Sequence, residues 1–338
     1  MINFRYVRAN SVDEAVRQIA GNPTAKFIAG GTNLLDLMKE NVERPSQLID
    51  ISRLPLTRIE ETANGTVRIG ALVPNSDLAY HPLIEQRYPI LSSAILAGAS
   101  PQLRNMASVG GNLMQRTRCA YFYDTATPCN KRERDTGCSA ISGHNRNHAI
   151  LGASDFCIAT YPSDMSVALA ALDARVLVTG PSGDRTMPLA GFHRLPGDTP
   201  HLDNNLARDE IITAVELSPR GFASNYSYLK LRDRLSYAFA LVSVAAALEM
   251  EDGTIKEARL ALGGVAHKPW RDTEVEAVLL GQPANEAHFA RAAEIALRDA
   301  KACSHNAFKI DLARCAILRT LTQAARGTPQ SQSRKKIA

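Results

Sequence analysis

The chain has 338 residues, a length that corresponds to two or three domains of roughly 150 residues each. Hydrophobic residues make up 45% and charged residues 22%, which is typical of a globular protein and excludes a disordered or fibrous chain. The net charge of +5 is too small to indicate nucleic acid by itself, and an aromatic content of 6% leaves few platforms for stacking bases, so we expect no nucleic-acid partner.

Residues 1–53 predict a small α/β unit. Met1–Arg5 lacks the basic and then apolar stretches of a signal peptide, so no export signal is expected. Ser11-Val12-Asp13-Glu14 is a capping box that begins a helix, and this helix stops at Gly21. Lys26–Ala29 and Gln47–Ile51 are strand candidates, with a second helix between them.

Residues 54–220 predict a larger α+β unit. Asn64-Gly65 predicts a hairpin with a type I′ turn between two short strands. The segment at about 115–160 has little periodicity and is expected to be an insertion. Helical patterns cover Leu78–Ala99 and Ser163–Leu172, and strand patterns cover Arg175–Thr179 and Glu210–Leu217.

Residues 221–330 predict a C-terminal α+β domain, and 331–338 form a basic tail. The longest apolar run of the chain, Ala238–Leu248, is far shorter than the ~20 residues that a membrane span needs, so we expect no membrane span. Three strands read as an antiparallel meander, and three helices follow them. The strands are Tyr226–Arg232, Ala238–Met250 and Thr254–Leu262, and the helices are Glu274–Leu280, Glu286–Lys301 and Ile310–Ala325.

Two glycine pairs are candidate phosphate-binding loops. In Ala29-Gly30-Gly31-Thr32-Asn33-Leu34 the glycines stand between a strand and a helix that Thr32 or Asn33 can cap, so backbone N–H groups can approach a phosphate. Ser108-Val109-Gly110-Gly111-Asn112 repeats this pattern. Each pair could instead be a plain tight turn. Together they favour a diphosphate held from two sides, as in a dinucleotide such as FAD.

Four of the six cysteines lie within the insertion, as Cys119, Cys129, Cys138 and Cys157. Four thiolates can ligate an iron–sulfur cluster or zinc. The long spacings favour a cluster over zinc, whose sites usually contain close cysteine pairs, but zinc, a disulfide or inert thiols remain open. Basic neighbours would stabilise an anionic cluster, although they could equally be a solvated face. Those neighbours are Arg116, Arg118, Lys131, Arg132, Arg134 and Arg146.

The other cysteines and the nearby histidines are weaker candidates. Cys303 and Cys315 lie in the predicted C-terminal helices, where packing is the better interpretation. His144 and His148 lie between the third and fourth cysteines and could be ligands. Because four cysteines already complete a site, we expect these histidines to have only loop or supporting roles.

Taken together, the two glycine loops, Pro162-Ser163-Asp164 and Leu262-Gly263-Gly264-Val265-Ala266 resemble the FAD-binding medium subunits of the xanthine dehydrogenase and carbon monoxide dehydrogenase family. Three further strings narrow the resemblance to flavin subunits of periplasmic aldehyde oxidoreductases, which bind FAD and a [4Fe-4S] cluster. These strings are Gln115–Cys119, Thr127–Arg132 and Ser236–Ala240. The implied fold is a two-part FAD-binding domain of the PCMH type with an iron–sulfur insertion, followed by a domain with an antiparallel sheet and helices.

The resemblance also implies which residues bind each cofactor. The first loop would wrap the FAD pyrophosphate through Lys26, Phe27, Ile28, Ala29, Gly30, Gly31, Thr32, Asn33 and Leu34. Ser108, Gly111 and Asn112 would contact phosphate and ribitol, Asp164 the dinucleotide, and Ile211 and Lys230 the flavin ring. The cluster ligands would be Cys119, Cys129, Cys138 and Cys157.

The chain contains no cysteine run typical of a two-iron cluster, so the substrate-oxidising centre is expected on partner chains. The resemblance implies a molybdopterin-binding large subunit and a [2Fe-2S] small subunit, with electrons leaving through this FAD to an external acceptor. It implies a periplasmic location through a partner's export signal, with the cytoplasm as the alternative. A self-sufficient flavin oxidoreductase and a zinc-stapled assembly module are competing hypotheses.

Overall fold

The structure is a computed structural model that describes residues 1–332. Residues 333–338, which hold most of the expected basic tail, lie outside the described residues. Three sheets organise the chain, and each belongs to a different part of the sequence.

The N-terminal part is a three-stranded parallel sheet with the strand order β1-β3-β2. Ser11 begins the first helix by accepting a hydrogen bond from the Glu14 N–H, while the Glu14 carboxylate reaches the N–H of Asn10. Strand β1 was not predicted, because most of its side chains are exposed and leave no apolar pattern. The elements are β1 (Arg5–Arg8), α1 (Val12–Ala20), β2 (Ala25–Ile28), α2 (Leu34–Lys39) and β3 (Gln47–Asp50).

The second part is a five-stranded antiparallel sheet of order β4-β5-β8-β6-β7, with helices around it. Strand β7 was not predicted, because it too is largely exposed. The strands are β4 (Ile59–Glu61), β5 (Val67–Gly70), β6 (Arg175–Gly180), β7 (Gly183–Pro188) and β8 (Ile211–Leu217). The helices are α3 (Asn75–Ala79), α4 (Pro82–Arg87), α5 (Pro89–Ala97), α6 (Pro101–Met106), α7 (Val109–Leu113), α8 (Ala120–Tyr123), α9 (Ser139–Ser142) and α10 (Asp164–Ala171).

The hairpin between β4 and β5 is present, but the predicted type I′ turn is wrong. Such a turn needs positive φ at both central residues. Only Gly65 has it, at +81°, while Asn64 does not. The Asn64 side-chain oxygen instead accepts hydrogen bonds from the Thr62 hydroxyl and the Thr66 N–H, which stabilises a longer loop.

The C-terminal part is an antiparallel sheet of order β11-β10-β9 covered by helices, as predicted. Strand β10 begins four residues later than expected, since 238–241 belong to the preceding loop. In the described residues no helix is long and apolar enough to cross a membrane. The elements are β9 (Tyr226–Leu231), β10 (Val242–Glu251), β11 (Thr254–Gly263), α11 (Thr273–Ala277), α12 (Glu286–Ala296) and α13 (Phe308–Ala325).

Helix α10 joins the second and third parts. All eight of its residues are buried, and it packs against α5 on one side and against β10 and β11 on another. Ser163 begins the helix by accepting a hydrogen bond from the Ser166 N–H. A helix with no solvent-facing side is stable only when it is enclosed, so α10 fixes the C-terminal sheet against the rest of the molecule.

Candidate functional site

A cleft of about 450 Å³ lies between the N-terminal sheet and the second part of the molecule. The first glycine loop, which follows β2, forms one wall, and the second glycine loop forms another. A third wall comes from the segment 201–212, which includes Ile211 at the start of β8. The cleft thus brings together residues that are far apart in the sequence.

The first glycine loop presents unpaired hydrogen-bond donors to this cleft. Within residues 1–332, the N–H groups of Gly30, Gly31, Thr32 and Asn33 donate to no protein acceptor. The Asn33 side chain accepts a hydrogen bond from the Arg116 N–H at 2.9 Å instead of capping α2, and its buried Nδ2 has no partner. Such a set of donors suits the oxygen atoms of a pyrophosphate.

Gly30 allows the two glycine loops to approach closely. A Cβ at this position would lie 1.8 Å from the carbonyl oxygen of Met106, which lies two residues before the second loop. Gly31 has a φ of +72°, a conformation that favours glycine. The two glycines therefore have distinct physical requirements, one for close approach and one for backbone conformation.

The second glycine loop differs from the first in its hydrogen bonding. The Gly110 N–H donates to the Ala71 carbonyl at 2.7 Å, and the Gly111 N–H donates to the Ser108 hydroxyl oxygen at 3.2 Å. This loop shapes the cleft, but the N–H groups of both of its glycines are already used. The two loops therefore have similar sequences but different roles: the first presents free donors to the cleft, and the second shapes its wall.

Most, but not all, of the residues expected to bind FAD line this cleft. Residues 26–34, Ser108, Gly111 and Ile211 do so, whereas Asn112, Asp164 and Lys230 do not. The Asn112 side-chain oxygen accepts a hydrogen bond from the Ser163 hydroxyl at 2.6 Å. These assignments remain predictions, and the structure separates them into two groups.

Asp164 and Lys230 form a buried ion pair beyond the cleft, with 2.8 Å between the carboxylate and Nζ. The Tyr228 hydroxyl also donates to the Asp164 carboxylate, at 2.6 Å. Burial and the adjacent carboxylate raise the pKa of Tyr228 well above its ordinary value. A buried charge pair of this kind is costly to break because either partner alone would be left uncompensated.

A charged network connects the cleft with the cysteine segment. The Arg116 guanidinium contacts the carboxylates of Glu43 at 2.8 Å and Asp203 at 2.7 Å, and Lys131 Nζ contacts Asp203 at 2.5 Å. Burial raises the pKa of Asp203, but the charges of Arg116 and Lys131 outweigh it and bring the pKa down to about 2. The Asp203 contacts could not be found from the sequence, because they join residues more than 70 positions apart.

The four cysteines of the insertion are free thiols. Cys129 and Cys138 face each other across an isolated β-bridge, and hydrogen bonding with the Cys157 thiol lowers the pKa of Cys138 to about 6. Burial, together with the like charges of the nearby Cys129 and Cys138, raises the pKa of Cys119 to about 11. The structure therefore brings the predicted ligands into one region.

The donor chemistry of this region fits a group that binds thiolates, because added positive charge would offset the mutual repulsion of the sulfur atoms. Among residues 1–332, no three His, Cys, Asp or Glu side chains are arranged to hold a single metal ion. Two buried histidines also face the cysteines, His148 at 3.1 Å from Cys119 Sγ and His267 at 3.3 Å from Cys157 Sγ. His267 was not predicted, since it is 110 residues away in sequence.

The cysteine segment and the cleft share a wall. Leu37, which lines the cleft, packs in one buried cluster with Phe122 and Cys129. The Arg116 guanidinium lies 4.7 Å from the centre of the Phe122 ring. A side chain of the cleft and a residue of the cysteine group therefore belong to the same buried cluster.

Comparison with known proteins identifies two matching families. A profile described as the FAD binding domain in molybdopterin dehydrogenase matches residues 2–219, and one described as the CO dehydrogenase flavoprotein C-terminal domain matches residues 226–324. The chain is similar to the aldehyde oxidoreductase FAD-binding subunit PaoB of Escherichia coli K12, with 49% identity over 95% of this chain and 98% of that protein. It is also 29% identical to the glyceraldehyde dehydrogenase medium chain of Sulfolobus acidocaldarius, over 84% of this chain and 83% of that protein.

Solved structures give the same result. Carbon monoxide dehydrogenase from Hydrogenophaga pseudoflava matches with a TM-score of 0.76 and 26% identity, over 97% of this chain and 99% of that chain. Quinoline 2-oxidoreductase from Pseudomonas putida 86 matches with a TM-score of 0.74 and 25% identity, over 97% and 98% of the respective chains. Because the sequence and the fold agree over nearly the whole length, the chain belongs to the FAD-binding medium subunits of the xanthine dehydrogenase, or molybdenum hydroxylase, family.

Proposed function

We propose that this chain is the FAD-binding electron-transfer subunit of a molybdenum-dependent aldehyde oxidoreductase, which converts aldehydes to carboxylic acids. The observation that carries the proposal is the row of unpaired donors in the cleft, from the N–H of Gly30 to the buried Nδ2 of Asn33. The 49% identity to an aldehyde oxidoreductase subunit supports aldehydes as the substrate class.

The residues around the cleft would hold FAD through two groups of contacts. The donors of residues 30–33 would bind the pyrophosphate. Ser108 and Gly111 would contact the cofactor from the second wall of the cleft, and Ile211 from the third wall. Three residues would act beyond the cleft: Asn112, Asp164 and Lys230. The buried ion pair of Asp164 and Lys230 would support the rest of the cofactor there. When bound, FAD supplies the electron-accepting chemistry, and the protein provides position and electrostatics.

The four cysteines would hold a [4Fe-4S] cluster. Support comes from their shared region, their free thiols and the buried Lys131, whose Nζ lies in the charged network beside them. The buried hydrophobic cluster of Leu37, Phe122 and Cys129 would place the iron–sulfur cluster next to the flavin cleft. Reduction potentials of such clusters depend on nearby charge and hydrogen bonds, which this chain would supply.

The partners would be a molybdopterin-binding large subunit and a [2Fe-2S] small subunit. Electrons would pass from these subunits through the FAD of this chain to an external acceptor. We propose a periplasmic location, reached together with a partner that carries the export signal. Family membership as a medium subunit supports the presence of such partners.

The test is to purify the chain with its two partners and to follow aldehyde-dependent reduction of ferricyanide. Asn33→Leu removes the unpaired Nδ2 donor and the hydrogen bond from the Arg116 N–H. Asn64→Leu, in the exposed β4–β5 loop, is the matched control. We expect the Asn33 variant to lose FAD and to stop reducing ferricyanide. Aldehyde should still reduce the [2Fe-2S] clusters of the partner subunit, which is seen as a loss of their absorbance.

Three results would contradict the proposal. Full acceptor reduction by the FAD-depleted complex would show that electrons leave by another route. Aldehyde oxidation by this chain alone would favour a self-sufficient flavin enzyme. A colourless chain with stoichiometric zinc would favour an assembly module.

A further inference from the structure

Two buried histidines approach the cysteine group from different parts of the chain. His148 belongs to the cysteine segment, and its Nε2 lies 3.1 Å from Cys119 Sγ. His267 follows β11 in the C-terminal part, and its Nε2 lies 3.3 Å from Cys157 Sγ. Each ring therefore directs one nitrogen at a sulfur atom that we propose as a cluster ligand.

The direction of these hydrogen bonds follows from the chemistry of the ligands. A neutral imidazole carries one proton, on either Nδ1 or Nε2, and a protonated imidazole carries a proton on both nitrogens. A thiolate ligand has no proton to donate. When the cysteines bind iron, a hydrogen bond can form only if each ring carries a proton on Nε2.

Hydrogen bonds to backbone carbonyls hold the chain segments that carry the two histidines. Lys309, which is fully buried on α13, donates from Nζ to the carbonyls of His148 at 2.8 Å and Gly264 at 2.6 Å. The Tyr161 N–H donates to the carbonyl of Ala266, the residue before His267, at 3.0 Å. Helix α13 and the segment after β11 thus hold the histidines against the cysteines.

We propose that His148 and His267 are potential-tuning residues, which donate Nε2–H hydrogen bonds to Cys119 and Cys157 and raise the reduction potential of the [4Fe-4S] cluster. This inference rests on the proposed function of the cysteine segment. Reduction adds one electron to the cluster and moves no proton, so the reduced cluster has one more negative charge. Donors at the sulfur atoms stabilise that charge more than they stabilise the oxidised form.

The test compares leucine and glutamine variants of both histidines in the purified complex. Leucine removes the donor, whereas glutamine keeps an N–H at a similar reach. His144→Leu is the matched control, because His144 lies in the same segment, is exposed and packs against the His305 ring. Iron content and the midpoint potential of the cluster, followed by electron paramagnetic resonance, are the measurements.

We expect the double variant His148→Leu, His267→Leu to retain iron, and we expect its cluster to have a lower midpoint potential than that of the parent. The ratio of oxidised to reduced cluster at a given solution potential should rise at least tenfold. For a one-electron couple this corresponds to a midpoint potential lower by about 59 mV. The glutamine variants should recover most of this shift, and the His144 variant should show none.

Each other outcome is decisive. Retained iron with an unchanged potential would overturn the role of the histidines and leave the cluster proposal intact. If the leucine variants lose iron, retention in the glutamine variants supports the donor role, and loss in both overturns it in favour of packing. A parent complex with no iron attributable to this chain would overturn the cluster proposal itself.

Discussion

Replacement of Gly30 by alanine tests the close approach of the two glycine loops. The added Cβ would lie 1.8 Å from the Met106 carbonyl oxygen and 2.6 Å from the Met106 carbonyl carbon. Both are backbone atoms that cannot rotate away, so the loops must separate by about 1.7 Å to bring the 1.8 Å distance to an ordinary contact distance of about 3.5 Å. Overpacking of this kind costs about 1–3 kcal/mol.

The expected result is a lower melting temperature, by at least about 2 °C, together with a reduced FAD content of the purified complex. FAD absorbance and thermal unfolding are the two assays. Gly191→Ala is the control, because its Cβ would meet only Pro188 Cγ, at 3.8 Å. Parental FAD content and stability in the Gly30 variant would refute the argument that the cleft depends on this contact.

Three further predictions concern the cysteine segment and its surroundings. Cys129→Ser should remove the cluster iron and leave FAD in place, whereas the exposed Cys315→Ser should change neither, as measured by iron and flavin analysis. Asp203 has a pKa of about 2, below its ordinary 3.8, so it stabilises the fold above about pH 4, and this contribution is lost as the pH falls toward 2. Asp203→Asn should therefore lower the urea midpoint at pH 7, with the difference from the parent narrowing below pH 4; a constant difference would contradict the ion pairing. Leu37→Ala removes a side chain that is 2% exposed and should cost about 2–5 kcal/mol in urea unfolding, whereas a smaller loss would show that the shared wall is loosely packed.

Local patterns were sufficient to predict much of the fold. The helix that begins at Ser11, the hairpin at residues 59–70 and the C-terminal meander all follow from capping, turn residues and apolar periodicity. Strands β1 and β7 were missed because their side chains are mostly exposed, which leaves no apolar alternation to detect.

The candidate site was only partly predictable, for a related reason. Gly30 and Gly31 could be found because a strand and a helix flank them. The Arg116 contact with Asp203 and the approach of His267 to Cys157 join distant segments, and no local spacing encodes such contacts. The sequence likewise could not show that the Gly110 N–H of the second loop is already paired, since that depends on the position of Ala71.

The central proposal is that one chain holds both FAD and an iron–sulfur cluster. The most direct measurement is the FAD and iron content of the purified complex, compared with that of the complex carrying Cys129→Ser and Cys138→Ser. We expect one FAD per chain in both and four fewer iron atoms per chain in the variant. Equal iron content in the two complexes, or a parent complex without FAD, would contradict it.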